Sequence, residues 1–212
     1  MQTTQVKDYC VLYAHHNTSV LVNRNTLEVI DNWRVRGDYD LYLISNSDMA
    51  ATEENKSATR ILVRHDAEMD FGMWKTGLTY YSDLILRYKY VIFLNDSVKL
   101  IDGGFIERSH ELHDENSIVG CSINLLPKKH IQSYYFFMDQ QQYRNLREHF
   151  MSFNIPETIP SENRKGYLID NYEIAFGAFM ESKGYQMKAQ QTFQHNYNLL
   201  PNMMFHKQNG NH

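Results

Sequence analysis

Residues 91–97 read Val-Ile-Phe-Leu-Asn-Asp-Ser. Consecutive apolar residues with no polar alternation fit a strand buried on both faces, as in a parallel sheet. The run stops at Asn95-Asp96-Ser97, residue types that favour turns. A buried strand that ends in a carboxylate can also hold a divalent cation against a diphosphate. Hard cations take oxygen ligands, often one or two carboxylates plus substrate phosphates. On this stretch alone Asp96 reads somewhat more readily as a turn cap than as a metal ligand.

Three runs of the same kind precede it: Cys10 to Ala14, Leu41 to Ile44 and Ile61 to Val63. Helical spacing separates them. Val20, Leu27, Ile30 and Trp33 recur between the first two, and Phe71, Trp74, Leu78, Tyr81 and Ile85 form one apolar stripe before residue 91. Strand and helix alternation of this kind predicts βαβ units. Further on, Ser117 to Ile123 and Ile131 to Met138 read as strands and Gln140 to Phe150 as a helix. Residues 153–169, with Pro156, Pro160 and Gly166, read as a long loop. Tyr172 to Lys183 reads as a helix closed by Gly184. The tail after Gln190 shows no periodicity. The expected fold is one α/β domain over residues 1–212, with a mixed, mostly parallel central sheet flanked by helices.

Composition narrows the function classes. Lys plus Arg is 21 against 25 Asp plus Glu, a net charge of −4, which argues against a polyanion-binding surface and so against nucleic acid. Two cysteines, Cys10 and Cys121, both in apolar runs, make no disulfide framework. No run reaches the ~18 apolar residues of a membrane span. The first eight residues lack the apolar core of a signal peptide, so the expected location is the cytoplasm. The polar end, through His212, would suit the start of a linker to a further domain.

In open α/β sheets ligands collect at the carboxyl ends of the strands. The first strand is followed by His15 and His16, and the second by Ser45, Asn46, Ser47 and Asp48. The third is followed by Arg64, His65, Asp66 and then Asp70, and the fourth by Asn95, Asp96 and Ser97. Four polar exits along one edge point to a site. Asp70 could equally be a helix N-cap, and Lys75 in the following turns could equally be a solvated lysine. Arg64 has a fork suited to a diphosphate or to a core carboxylate.

Three segments together resemble a known family. Asp70-Phe-Gly-Met-Trp-Lys-Thr-Gly-Leu78, Tyr90-Val-Ile-Phe-Leu-Asn-Asp-Ser97 and His130-Ile-Gln-Ser-Tyr134 are similar, in order and approximate spacing, to motifs of the rhamnan-synthesis-F type glycosyltransferases. The resemblance covers about residues 8–190. It implies a GT-A-like fold and nucleotide-sugar-dependent transfer in polysaccharide assembly. Stand-alone GT-A domains of about this size also occur in capsid-glycan synthesis by large DNA viruses of algae (the chlorovirus type).

The resemblance carries roles onto matching positions. Asn95-Asp96-Ser97 stands where GT-A enzymes carry Asp-x-Asp, with Asp96 its single carboxylate. A Mn2+ or Mg2+ ion would then need another ligand, for which His195 is the candidate and His206 a weaker one. His130, Gln132 and Ser133 would line the sugar or acceptor site. The base and ribose would lie over Ala14, His15 and the turn from Ser45 and Asn46 to Asp48. Arg64, Asp66, Lys75, Asn95, Asp96 and Ser97 complete the donor set. Glu173 lies eleven positions before Gly184-Tyr185, close to where many inverting GT-A enzymes place a catalytic acid residue at a helix start. Inversion needs one base to take the acceptor proton. Asp70 and Asp170 are the alternatives, and a carboxylate favoured by a helix N-terminus is the plain reading of Glu173.

The expected activity is metal-dependent transfer of a hexosyl or rhamnosyl group from a UDP-sugar, or a dTDP-sugar, to a glycan or glycoprotein acceptor. A sugar nucleotidyltransferase would normally open with a Gly-rich loop after the first strand. Tyr13-Ala-His-His-Asn-Thr stands there instead, with no glycine before Gly37. A non-catalytic carbohydrate- or nucleotide-binding module is the other alternative, allowed by the broken Asp-x-Asp pattern.

Overall fold

The computed structural model describes residues 7–15, 39–46, 60–64, 69–96, 98–100, 104–193 and 205–207. Four strands follow the apolar runs: β1 (Tyr9–His15), β2 (Tyr39–Ser45), β3 (Arg60–Val63) and β4 (Tyr90–Asn95). Helix α1 (Met69–Ile85) links β3 to β4. Next come β5 (Val98–Leu100), α2 (Phe105–Leu112), β6 (Ser117–Asn124), β7 (His130–Ile131), β8 (Tyr135–Asp139) and α3 (Gln140–Met151). A 3-10 turn at Ser161–Asn163 leads into α4 (Arg164–Leu168), a π-helical turn at Ile169–Glu173 and α5 (Ile174–Ser182). Strands β9 (Gln186–Phe193) and β10 (Phe205–Lys207) complete the described elements.

The main sheet has the order β3-β2-β1-β4-β8-β6-β7, with β9 also paired to β6. Strands β1 to β4 are parallel, β8 is antiparallel to both β4 and β6, and β9 runs parallel to β6. β10 and β5 form a separate two-stranded ribbon. This is the expected mixed, mostly parallel sheet with flanking helices.

Both faces of the sheet are covered, which explains the lack of alternation in the apolar runs. Leu12, Ala14, Ile44, Val91 and Phe93 face a core shared with Phe71, Trp74 and Leu78 of α1 and Phe150 of α3. Val11, Tyr13, Leu43, Ile92 and Leu94 face a second core with Phe105 of α2. The Trp74 indole N–H donates to the Leu94 carbonyl at 3.4 Å, so its one polar atom is satisfied where it is buried. Among the described residues no helix is long and apolar enough to cross a membrane.

Three expectations need correction. The proposed loop over residues 153–169 ends early: the chain turns helical at Ser161 and stays so through Ser182. Glu173 therefore lies inside a helical run, and a helix N-terminal dipole does not account for it. The strand expected over 131–138 is two strands, because pairing with β6 shifts register by two residues between Ile131 and Phe136. The interruption falls on Gln132-Ser133-Tyr134. The tail after Gln190 begins in regular structure, since β9 runs to Phe193. The glycine stop holds: Gly184 has φ +85°, and Tyr185 N–H returns to the Met180 carbonyl at 3.0 Å.

Candidate functional site

The parallel register brings the ends of β1, β2 and β4 side by side. His15 Nδ1 and Ser45 Oγ are hydrogen-bonded at 2.9 Å, and both residues are buried. Ala14 is buried, and its carbonyl accepts the Asp96 N–H at 3.2 Å. Asn46 N–H reaches the His15 carbonyl at 3.4 Å, and Arg64 N–H the Ser45 carbonyl at 2.8 Å. These contacts fix the strand exits as one edge, with Asp96 half-buried on it.

Beside that edge, four elements join through side chains. Asn95, at the end of β4, is 1% exposed. Its Nδ2 donates to Asp70 Oδ2 at 2.5 Å and to the Ser133 carbonyl at 3.2 Å. The Asn95 N–H also donates to the Tyr134 carbonyl at 3.3 Å. Ser133 Oγ donates to Glu173 Oε2 at 2.9 Å. Glu173 Oε1 faces His130 Nε2 at 3.6 Å, an ionic contact longer than a hydrogen bond. His130 Nδ1 meets the Lys128 carbonyl at 2.6 Å; a carbonyl only accepts, so Nδ1 carries the proton.

Local structure aims each member. Met69, just ahead of Asp70, has φ 48°, a left-handed conformation that costs a side chain ~1–2 kcal/mol. Such strain is often kept where a side chain must be aimed. The register shift between β7 and β8 turns the Ser133 carbonyl toward Asn95. The π turn ends on Glu173, and π turns inside helices recur at functional sites. Gly177 lets α5 lie against β7: a Cβ there would sit 2.7 Å from the Lys129 carbonyl oxygen and 3.4 Å from His130 Cα.

The electrostatics follow from this packing. Burial pushes the Asp70 carboxyl up, the Asn95 hydrogen bond pulls it back, the Glu173 charge raises it and the Lys165 charge lowers it. The balance stands at about 7, against an ordinary 3.8. A carboxyl so poised can accept and release a proton near neutrality. Burial works against charge on His130, but the Glu173 carboxylate and the Lys128 carbonyl outweigh it, and its pKa is raised.

Other nominated residues stand apart from this group. Lys75 Nζ donates to the Phe153 carbonyl at 2.7 Å and braces α1 against the segment after α3. Arg64 Nη1 donates to Tyr80 Oη at 2.9 Å, about 15 Å along α1 from Asp70 at the usual helical rise. Gln132 Oε1 accepts from Ser122 at 2.7 Å, and its Nε2 donates to Tyr134 Oη at 3.2 Å. Asp170 is exposed. Asp66, Ser97 and His195 lie outside the described residues, as does the His206 side chain. Among the described residues no three His, Cys, Asp or Glu side chains gather as a metal-holding group. Asp96 remains a suitable oxygen donor at a strand exit, of the kind a hard cation shares with phosphate. Lys165 was not foreseen: it is an exposed lysine in a stretch that reads as loop, and nothing in its local sequence marks it.

No protein-family model matches the chain, and no curated protein matches its sequence. Solved structures do match. A protein designated a nucleotide-diphospho-sugar transferase, from Desulfovibrio desulfuricans G20, aligns at 9% identity over 88% of this chain and 80% of its own, with TM-score 0.52. The 4-diphosphocytidyl-2C-methyl-D-erythritol synthase of Anaerococcus prevotii aligns at 11% identity over 91% of both chains, with TM-score 0.50. A glycosyltransferase involved in glycosylation of the major capsid of PBCV-1 aligns at 12% identity over 85% of this chain and 81% of its own, with TM-score 0.48. The chain shares the fold of the first two. Identities this low leave function to the residues of the site.

Proposed function

We propose that the protein is a glycosyltransferase that moves a sugar from a nucleotide-sugar donor, UDP-linked in preference to dTDP-linked, to a hydroxyl of a glycan. The observation that carries this reading is the pair of carboxylates, Asp70 and Glu173, tied together by Asn95 and Ser133 beside the strand exits. In the proposed reaction the acceptor oxygen attacks the anomeric carbon and the bond from that carbon to the diphosphate oxygen breaks. The nucleoside diphosphate leaves with the bonding electrons, and a carboxylate takes the acceptor proton. One displacement inverts the anomeric centre.

Asp70 suits the base role best. It is half-buried and so reachable, and its carboxyl is poised near neutrality. Glu173 is 9% exposed and held from two sides by Ser133 and His130. Asp170 is exposed and outside the hydrogen-bonded group. Asp96, with His195, would hold Mn2+ or Mg2+, which would supply charge to the leaving diphosphate. The His15–Ser45 edge would receive the nucleoside.

The shared fold also includes a cytidylyl-carrying synthase, so fold alone does not choose between glycosyl and nucleotidyl transfer. The site favours the former. Nucleotidyl transfer brings together highly charged phosphates and calls for cations at the strand exits, whereas Arg64 and Lys75 reach Tyr80 and Phe153.

The test is thermal shift with UDP, dTDP, GDP and CMP, with and without Mn2+, on wild type and Asp96→Ala. A ligand at 100 times its Kd should stabilise by about 2.7 kcal/mol. A metal-dependent shift with one diphosphate, lost in Asp96→Ala, is the expected result. No shift with any nucleotide would refute the donor site. Pyrophosphate release from a nucleoside triphosphate and a sugar phosphate would favour nucleotidyl transfer instead.

A further inference from the structure

We propose that His130, Ser133 and Asn95 are positioning residues that clamp Glu173 and bind it to Asp70, and that none of the three contacts sugar. The inference rests on the glycosyltransferase reading for its consequence in catalysis, and on the geometry alone for the clamp itself.

Donor counting carries the argument. An Asn side-chain amide has two N–H groups. Asn95 directs them to Asp70 Oδ2 at 2.5 Å and to the Ser133 carbonyl at 3.2 Å. A serine hydroxyl has one, and Ser133 gives it to Glu173 Oε2 at 2.9 Å. His130 donates its Nδ1–H to the Lys128 carbonyl and turns Nε2 to Glu173 Oε1. Both oxygens of Glu173 are therefore addressed, one by a hydroxyl and one by the Nε2–H of the imidazolium, the form this pairing favours. Exposure agrees: Asn95, His130 and Ser133 are 1%, 3% and 4% exposed. Atoms so enclosed, with their protons already given to protein acceptors, have little to offer a sugar hydroxyl. Gln132, between them in sequence, is turned to Ser122 and Tyr134.

The backbone is shaped for the same purpose. Two extra residues between β7 and β8 place the Ser133 hydroxyl and carbonyl on opposite partners, Glu173 and Asn95. Gly177 brings α5 close enough for Glu173 to meet His130. The result is one frame holding two carboxylates at a set separation and orientation. A base must be held within small tolerances of the proton it takes, so such a frame acts on turnover more than on binding.

The first test needs no substrate. Ser133→Ala, Glu173→Ala and the double variant are compared in thermal unfolding, as are Asn95→Ala, Asp70→Ala and their double, since each of these singles removes the contact. A clamp predicts that each double variant loses no more Tm than its worse single. Strictly additive losses would overturn it. The second test uses the donor found by the nucleotide screen. Ser133→Ala and His130→Gln should lower kcat at least tenfold while KM for donor and acceptor changes less than threefold, and Ser133→Thr, which keeps the hydroxyl, should recover part of the loss. A tenfold rise in acceptor or donor KM with kcat intact would overturn the proposal in favour of sugar contact. If no donor is turned over, the glycosyltransferase reading fails, and the unfolding cycles still decide the clamp.

Discussion

Asn95 Nδ2 lies 2.5 Å from Asp70 Oδ2 and 3.2 Å from the Ser133 carbonyl, so one buried amide joins the start of α1 to the turn between β7 and β8. Removing it leaves the Ser133 carbonyl without that donor in a buried setting. Asn95→Ala should cost about 1–3 kcal/mol, the usual penalty for an orphaned buried polar group. Urea denaturation measures it. A loss within 0.5 kcal/mol, typical of surface substitutions, would mean the contact is incidental.

Asp70 gives a pH signature with a definite sign. Its folded pKa, about 7, stands above the ordinary 3.8, so folding favours the protonated carboxyl. Its contribution to stability is full below the unfolded value and is lost as pH rises toward 7. A shift of this size corresponds to at most about 4 kcal/mol. His130 acts in the same sense. Its raised pKa gives stability that is full below about 6.5 and lost as pH climbs through the folded value. Asp70→Asn keeps an oxygen for Asn95 to donate to and removes the ionisation. Thermal scans from pH 4 to 8 should show wild type losing stability across that range and the variant losing distinctly less. Parallel curves would show that Asp70 ionises as an exposed carboxyl does. Under the proposed reaction the same variant should lose turnover while gaining stability at pH 8.

Lys75 separates bracing from donor binding. Its ammonium is given to the Phe153 carbonyl at 2.7 Å, in the loop that follows α3. Lys75→Met keeps the aliphatic stem and removes the donor. A loss near 1 kcal/mol, or roughly 2–4 °C in Tm for a chain of this size, is expected. Any nucleotide-induced shift should keep its wild-type size. A smaller nucleotide shift would return Lys75 to the donor site.

What could be read in advance depended on the range of the forces involved. Val91 to Leu94 was legible as a strand because alternate residues enter two different cores, which requires an unbroken apolar run. Gly184 was legible as a stop because a left-handed φ is a local demand. Asp70, Asn95, Ser133 and Glu173 were each marked by residue type, yet their mutual contacts span 25 to 40 positions and depend on strand order. The break between β7 and β8 was hidden, since a two-residue register shift changes no apolar pattern. The same limit applies to Lys75 and Arg64: a cation near a strand exit looks alike in sequence whether it turns to solvent, to phosphate, or to Phe153 and Tyr80.

Gly177 offers the sharpest test of how the helix sets the site. A methyl group at this position would lie 2.7 Å from the Lys129 carbonyl oxygen and 3.4 Å from both His130 Cα and Cβ. The first distance is below any ordinary carbon contact, and the opposing atom is backbone, which cannot rotate aside. Gly177→Ala must therefore push α5 away from β7. Two effects oppose each other: alanine favours a helix by up to ~1 kcal/mol over glycine, while overpacking costs typically 1–3 kcal/mol. The clash should win, with a net loss of about 1–2 kcal/mol in urea denaturation. Glu173, four residues earlier on the same helical run, would move with α5 and away from His130 and Ser133. The pH dependence of stability should then weaken above pH 6.5, where the His130 pair contributes. A variant as stable as wild type with an unchanged pH profile would mean that α5 is not held against β7 as closely as these distances indicate.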